Sequence, residues 1–275
     1  GYGCSVTVVP SASTPALASV SETGEPDIIT EVWTNGAPAY VPLLEAGKIN
    51  ELTDVLSDGG IEGLFIPVYL AEAHPELMTI EGVLANPDLV GNRMHNCPVG
   101  WTCQVVASNV AKAGGFEASG VEDFVHGSGE TLAASIGSAY TSKEPWFGYY
   151  WAPTQIIGKY DLQSVDLGPF AGDANWNECV ALAADLCADP QVSGWTESRV
   201  NTLLSDNFYY NAPKAAMDYF AARVYPGTVM NSMLVWMGDN QAGGADATTY
   251  FLQTYPEVWK AWVDDETAAS VEAAM

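Results

Sequence analysis

The sequence Asp-Ile-Ile-Thr-Glu-Val-Trp occupies residues 27–33 and ends in a Thr-Asn-Gly turn at residues 34–36. Its apolar, β-branched residues predict a strand. On its N-terminal side, a Ser-Thr-Pro sequence at residues 13–15 predicts a helix start, and residues 5–10 predict a short buried strand. On its C-terminal side, residues 39–46 begin a second helical stretch. This alternation of strand and helix predicts an α/β fold with a parallel sheet.

The remaining segments continue the mixed pattern. Residues 63–69 are expected to be extended, but Pro67 argues against a regular central strand. Residues 102–106 and 146–151 predict strands, whereas Gly-Ser-Gly-Glu at residues 127–130 leads into a predicted helix at 131–140. Helical patterns return at residues 211–220 and 248–263. Because 275 residues exceed one typical core, two lobes are expected.

Composition and motifs argue against several classes of function. The chain has 34 acidic and 9 basic side chains, a net charge of −25, and no basic cluster, which argues against nucleic-acid binding. No apolar run reaches the roughly 18 residues that a membrane-spanning helix needs. The sequence lacks Gly-x-Ser-x-Gly, Gly-x-x-x-x-Gly-Lys and His-Glu-x-x-His motifs, and its three histidines are scattered. We therefore predict neither an enzyme nor a cofactor or metal site.

The five cysteines form two close pairs and one remainder. Cys97 and Cys103 enclose a loop that a disulfide can close, with zinc ligation as the alternative. Cys179 and Cys187 are eight residues apart and can pair only if a helix between them breaks. Two disulfides would imply an oxidising compartment, and we expect the periplasm, with an export signal already removed. Cys4 is predicted to be a buried free thiol.

Tryptophan is the most informative residue type, with nine copies beside thirteen tyrosines. Four tryptophans fall near predicted strand ends or in loops: Trp33, Trp101, Trp151 and Trp176. Ligands of α/β sheets bind at strand ends. Aromatic faces can hold a methylated ammonium, which has no N–H to donate, with about 0.5–2 kcal/mol per ring. A structural role in the core or at the surface is the alternative for each of these residues.

Six stretches carry a family resemblance. They are residues 1–11, 31–33 with 37–38, 63–67, 95–103 (His-Asn-Cys-Pro-Val-Gly-Trp-Thr-Cys), 127–131 (Gly-Ser-Gly-Glu-Thr) and 146–153 (Trp-Phe-Gly-Tyr-Tyr-Trp-Ala-Pro). In combination they resemble the glycine betaine/proline betaine family of ABC-transporter substrate-binding proteins, up to about Gly168. The second cysteine pair and the region around Trp176 are most similar to the trimethylamine N-oxide-binding branch of that family.

The resemblance implies a type II periplasmic binding fold with two Rossmann-like lobes and a hinge. Residues 1–67 and 166–275 would form lobe one and residues 68–165 lobe two, with the ligand cleft between them. Trp33 and Trp176 would come from lobe one, and Trp101 and Trp151 from lobe two. Glu130 would be the acidic partner, either protonated as a donor to an N-oxide or ionised opposite a cationic nitrogen. A capping or solvated role at a helix start is the alternative for Glu130.

The resemblance thus implies a periplasmic receptor that binds trimethylamine N-oxide or a similar methylated amine and delivers it to an ABC permease by hinge closure. The second ligand class is glycine betaine, proline betaine or choline. A betaine carboxylate needs N–H donors, and here the candidate pocket residues offer Gly127–Gly129 but no arginine. A secreted carbohydrate-binding or hydrolytic protein is the remote alternative, because tryptophan platforms also stack sugars.

Overall fold

The computed structural model describes residues 3–183 and 185–275. Gly1 and Tyr2, which belong to the first resembling stretch, lie outside the described residues, as does Ala184. The chain forms two compact units. Unit 1 comprises Gly1–Thr34, Ala39–Gly60 and Arg199–Met275, and unit 2 comprises Asn35–Pro38 and Ile61–Ser198.

Unit 1 contains a three-stranded antiparallel sheet. Its strands are β1 (Ile28–Trp33), β2 (Ile49–Asp54) and β8 (Val200–Ser205). Strand β8 lies between the other two and is antiparallel to both, with Trp33 opposite Val200 and Asp54 opposite Asn201. All six residues of β8 are buried, as expected of a central strand that is covered on both faces.

The helices of unit 1 supply most of its core. They are α1 (Ser13–Thr23), α2 (Tyr40–Glu45), α9 (Asp206–Asn211), α10 (Lys214–Ala222), α11 (Gly227–Asn240), α12 (Gly244–Thr254), α13 (Pro256–Trp259) and α14 (Asp265–Ala274). The C-terminal helices form an apolar cluster that includes Met233, Phe251, Trp259 and Trp262. Trp259 and Trp262 are therefore core residues of unit 1.

Unit 2 contains a five-stranded mixed sheet. Its strands are β3 (Ile61–Pro67), β4 (Arg93–Asn96), β5 (Glu122–Val125), β6 (Gly148–Ala152) and β7 (Leu162–Ser164), in the order β5-β4-β6-β3-β7. Strand β4 is parallel to β5 and β6, whereas β3 is antiparallel to β6 and β7. The strand–helix rhythm therefore gives the α/β class correctly but not strand direction, because β3 and β8 pair with strands that are distant in sequence.

The helices of unit 2 flank this sheet. They are α3 (Val68–Ala73), α4 (Ile80–Ala85), α5 (Thr102–Ala113), α6 (Gly129–Ser142), α7 (Gln155–Lys159) and α8 (Asp173–Asn175), followed by a π-helical turn at Trp176–Val180. Helix α6 begins with a capping box between Ser128 and Thr131. Within the described residues, no helix combines the length and apolar character needed to span a membrane.

Four local predictions are wrong. Residues 5–10 form no strand, their valines are exposed and Cys4 is also exposed, because β-branched composition makes no strand without a pairing partner. Residues 102–106 begin helix α5, in which Cys103, Val106 and Val110 are buried at helical spacing. A window of five residues is too short to reveal that period. Residues 61–67 form the regular strand β3, which tolerates Pro67 because proline stands at its end.

The unit boundaries differ from those expected for the lobes. Residues 35–38, 61–67 and 166–198, which we expected in lobe one, belong to unit 2. Strand β3 pairs with β6 and β7, and Asn109 in α5 donates to the carbonyl of Val180 at 3.0 Å. These contacts hold residues 61–67 and 166–198 in unit 2. The hinge and the cleft between the lobes stay predictions.

Candidate ligand-binding site

Three of the four predicted tryptophans lie in one aromatic cluster of unit 2. The aromatic cluster comprises Trp101, Tyr149, Trp151, Trp176 and Trp195. Its successive ring centroids are 5.6 Å apart for Trp101–Trp151, 6.1 Å for Trp151–Tyr149, 5.6 Å for Tyr149–Trp195 and 5.7 Å for Trp195–Trp176. These separations fall in the range of favourable aromatic pairs. The structure therefore groups Trp176 with Trp101 and Trp151, whereas the resemblance grouped it with Trp33.

Local structure explains how Trp101 and Trp151 meet. Tyr149 and Trp151 are two residues apart in β6 and therefore point to the same face of the sheet. Trp101 is the N-cap residue of α5 and lies inside the loop closed by Cys97 and Cys103, and its ring packs edge-to-face on Trp151. A Cβ atom at Gly129 would lie 2.7 Å from Cη2 of Trp101, so only glycine lets this ring lie against the first turn of α6. Both indoles are half-buried, which leaves part of each ring accessible.

Trp176 differs from these two residues in its accessibility. Its side chain is 2% exposed, and its indole N–H donates to the carbonyl of Asn35 at 2.6 Å. Trp195 packs on it edge-to-face and is itself half-buried. In this structure, Trp176 therefore supports the aromatic cluster from within the core, and Trp195 presents the more accessible ring.

A buried polar network holds the inner part of the aromatic cluster. One carboxylate oxygen of Glu62 accepts from the Tyr149 hydroxyl at 2.5 Å. The other accepts from Ser198 Oγ at 2.5 Å and from Asn35 Nδ2 at 2.6 Å. Burial, followed by the Glu62 charge, raises the pKa of Tyr149 well above its ordinary value, so the phenol stays protonated and donates. Glu62 thereby fixes Tyr149 and, through Asn35, the indole of Trp176.

Glu130 lies in the first turn of α6, beside the glycine that contacts Trp101. Its side chain is exposed. Hydrogen bonds from Ser128 and from its own backbone N–H lower the pKa of the carboxyl group, so it is ionised at neutral pH. This state agrees with a carboxylate opposite a cationic nitrogen and with the capping alternative. A protonated donor would instead require a raised pKa.

Trp33 belongs to unit 1 and ends strand β1. Its indole N–H donates to Glu31 at 2.9 Å, and the ring is half-buried. A Cβ atom at Gly60 would lie 2.2 Å from Cζ3 of Trp33, so the glycine allows the backbone to lie directly against the ring. The role of Trp33 in ligand binding stays a prediction.

The structure contains both predicted disulfides, Cys97–Cys103 and Cys179–Cys187. The first closes the loop that carries Trp101. The second begins at Cys179 inside the π-helical turn, which ends at Val180, so the helix breaks before Cys187 as the pairing requires. No group of three or more His, Cys, Asp or Glu side chains within residues 3–183 and 185–275 is placed to hold a metal ion.

Removal of the first disulfide should destabilise the protein and weaken ligand binding together. For the double variant Cys97→Ala/Cys103→Ala we expect a loss of about 2 kcal/mol in the free energy of unfolding, because a short closed loop is released in the unfolded chain. Denaturant unfolding and calorimetry measure the two effects. Cys4→Ala is the matched control, since its thiol is free and exposed. Equal stability of the double variant and the control would contradict the expectation.

Two histidines form a part-buried pair close to the start of α6. His95 Nδ1 and His126 Nε2 are 2.8 Å apart, and His126 Nδ1 lies 3.3 Å from Thr131 Oγ1 in the capping box. The ring of His95 also stacks on Trp146. Burial, followed by the proximity of His126 and Arg93, lowers the pKa of His95 to about 3. Burial, followed by the Arg93 charge, also lowers the pKa of His126, so both rings are neutral at pH 7.

This pair should make stability fall with acidification. Folding lowers the pKa of His95, so on acidification the imidazole is protonated in the unfolded chain at a higher pH than in the folded chain. The free energy of unfolding therefore decreases as the pH falls from about 6.5 toward 3. The slope is about 1.4 kcal/mol per pH unit for one proton. We expect the variant His95→Gln to lose less stability than the native chain between pH 6 and pH 4 in denaturant unfolding. Parallel curves for the native chain and His95→Gln would contradict the argument.

Comparison with known proteins identifies the family. Residues 1–254 match the model of OpuAC, the substrate binding domain of ABC-type glycine betaine transport systems. The chain belongs to this family. No curated protein sequence matches it significantly. The predicted type II periplasmic binding fold is confirmed by this match and by the solved structures that resemble the chain.

Three of these structures are similar over most of their length. The glycine betaine/L-proline-binding protein ProX of Borrelia burgdorferi has a TM-score of 0.72 and 16% identity, covering 94% of this chain and 86% of ProX. A choline-binding protein in complex with choline has a TM-score of 0.71 and 14% identity, and the match covers 94% of this chain and 83% of that protein. Lactococcal OpuAC in complex with glycine betaine has a TM-score of 0.71 and 14% identity, and the match covers 96% of this chain and 89% of that protein. At such identities the likeness establishes the fold alone.

Sequence reasoning missed three residues of this region. Tyr149 was visible in principle, because it stands two residues before Trp151 in a predicted strand and must share its face. Trp195 and Glu62 gave no local signal. Trp195 lies in a loop, and Glu62 was one acidic residue among 34.

Proposed function

We propose that the chain is a solute receptor of an ABC transporter that holds a methylated amine against the accessible rings of the aromatic cluster. The observation that carries this proposal is the edge-to-face pair of half-buried rings Trp101 and Trp151. Trp101 lies against Gly129 in the first turn of α6, and the same turn carries the ionised Glu130. A methylated ammonium offers only weakly hydrated C–H surface and positive charge. Indole faces and one carboxylate provide the matching environment.

Trimethylamine N-oxide is the ligand we propose first. Its methyl groups would face the indoles, and its cationic nitrogen would be balanced by Glu130. None of the predicted binding residues is basic, and the chain carries a net charge of −25, so a ligand with an exposed carboxylate meets an unfavourable field. We place the receptor in the periplasm, where the two disulfides would persist.

A receptor for glycine betaine or choline is the second candidate. The family description names glycine betaine, and two similar structures hold glycine betaine and choline. In unit 2, the side-chain oxygen of Asn35 is buried and accepts no hydrogen bond from the described residues, so it is available to a ligand hydroxyl such as that of choline. The start of α6 would suit a carboxylate instead.

Isothermal titration calorimetry on the intact chain tests the proposal. The panel contains trimethylamine N-oxide, glycine betaine, choline and a set of oligosaccharides. We expect roughly micromolar binding of a methylated amine, with trimethylamine N-oxide at least about tenfold tighter than glycine betaine. The reverse order would select the second candidate. Binding of sugars alone would reject both and support the carbohydrate alternative.

A further inference from the structure

A cavity of about 590 Å³ lies among the C-terminal helices of unit 1. Its volume is in the range of small-molecule sites in proteins. Most of its wall is apolar and includes Met230, Met233, Met237, Phe251 and Trp262. Thioethers adapt to ligands of different shape, and flat rings add contact area. The cavity therefore suits a flexible apolar body, and none of its lining belongs to the aromatic cluster.

One cationic side chain, Arg223, contributes to this apolar wall. Its Nη2 atom lies 3.2 Å from Thr202 Oγ1 and 3.4 Å from the carbonyl of Thr30. Its Nε atom is buried and donates to none of the described residues. A buried donor without an acceptor is energetically unfavourable. The Nε–H of Arg223 is therefore a site where an acceptor from a ligand would be stabilising.

We propose that this cavity binds a medium-chain fatty acid, with its carboxylate at Arg223 and its acyl chain among the methionines and rings. A guanidinium N–H forms a charge-assisted hydrogen bond with a carboxylate, and the Nε–H of Arg223 is vacant here. The net charge of −25 repels anions in general, so local pairing with Arg223 must supply the attraction. A methylated ammonium meets repulsion from the same guanidinium, which separates this cavity from the function proposed above.

Calorimetry with decanoate tests the proposal on the intact chain, with decanol and decyltrimethylammonium as neutral and cationic probes of equal chain length. We expect decanoate to bind at one site, at least about tenfold tighter than decanol, as one charge-assisted hydrogen bond provides. Decyltrimethylammonium should not displace it. Equal affinity for decanoate and decanol, or no binding of decanoate, would overturn the proposal.

Two variants locate the binding. Arg223→Met keeps the length of the side chain and should lower decanoate affinity about tenfold while leaving decanol unchanged. Leu234→Trp fills the cavity from its wall and should abolish both. Lys214→Met removes an exposed charge in the same unit and should change neither decanoate nor decanol affinity. Thermal melts check that all three variants are folded. Unchanged decanoate binding in both cavity variants would refute the site.

Two further readouts separate this proposal from the other possibilities. Trp151→Ala should leave decanoate binding intact, because Trp151 belongs to unit 2, so a failed methylated-amine assay does not affect this test. Sedimentation at two protein concentrations reports on a second copy of the chain as occupant. A concentration-dependent dimer that binds no decanoate would assign the cavity to that copy and overturn the fatty-acid proposal.

Discussion

Replacement of Trp151 by alanine is expected to weaken methylated-amine binding about 30-fold, which corresponds to about 2 kcal/mol. Trp151 contacts Trp101 edge-to-face and stacks on Tyr149, so its removal deletes one ligand-facing ring and releases another. Trp101→Ala should have a similar effect, because its ring lies against Gly129 beside Glu130. Calorimetry with the best ligand of the panel measures both losses.

Two controls separate lost ring faces from lost structure. Trp151→Phe keeps an aromatic face and should retain more affinity than Trp151→Ala, since tryptophan and phenylalanine both attract cations. Trp236→Ala removes an indole that stacks on Tyr250 in unit 1 and should leave ligand affinity unchanged. Native affinity in both Trp101→Ala and Trp151→Ala would refute the assignment of the aromatic cluster to the ligand.

Glu62→Ala is expected to lower the free energy of unfolding by about 3 kcal/mol. The substitution removes the acceptor of three short hydrogen bonds, from Tyr149, Ser198 and Asn35. Tyr149 is 2% exposed, so its hydroxyl would lose its hydrogen-bond acceptor while remaining buried. Ligand affinity should also fall, because Tyr149 supports the ring of Trp151. Denaturant unfolding gives the first quantity and calorimetry the second.

The double variant Glu62→Ala/Tyr149→Phe tests the physical cause. If an unsatisfied hydroxyl causes the loss, removal of that hydroxyl should recover part of the stability, since deleting both partners costs less than deleting one. Glu122→Ala is the control, because it removes an acid from an exposed ion pair with Arg93. A double variant less stable than Glu62→Ala would show that the network acts in another way.

The fold class and several elements could be predicted from sequence because their signals are local. Residues 27–33 and 146–151 have strand composition, and Ser128 caps α6 as its position before the helix suggests. Strand direction could not be predicted, because β3 and β8 insert between partners that are far away in the chain. The valines at residues 5–10 have strand composition, yet no neighbouring strand pairs with them.

The candidate site shows the same division. Trp101 and Trp151 could be predicted through the stretches around the first cysteine pair and the aromatic strand, and the structure brings the two rings together. Trp176 was found, but its burial could not be foreseen, since it depends on a hydrogen bond to Asn35 across 141 residues of sequence. Glu62 and Trp195 become visible only when strand pairing and loop packing are known.

The position of β8 has a consequence for the order in which the protein can fold during synthesis. Strands β1 and β2 each pair with β8 and not with one another, so their sheet stays unpaired until residues 200–205 have left the ribosome. All residues of unit 2 have been translated by Ser198. Domains generally fold as units during synthesis. The synthesis of β8 therefore determines when β1 and β2 can pair and become buried. A nascent chain arrested before Val200 would therefore expose β1 and β2 to chaperones and proteases.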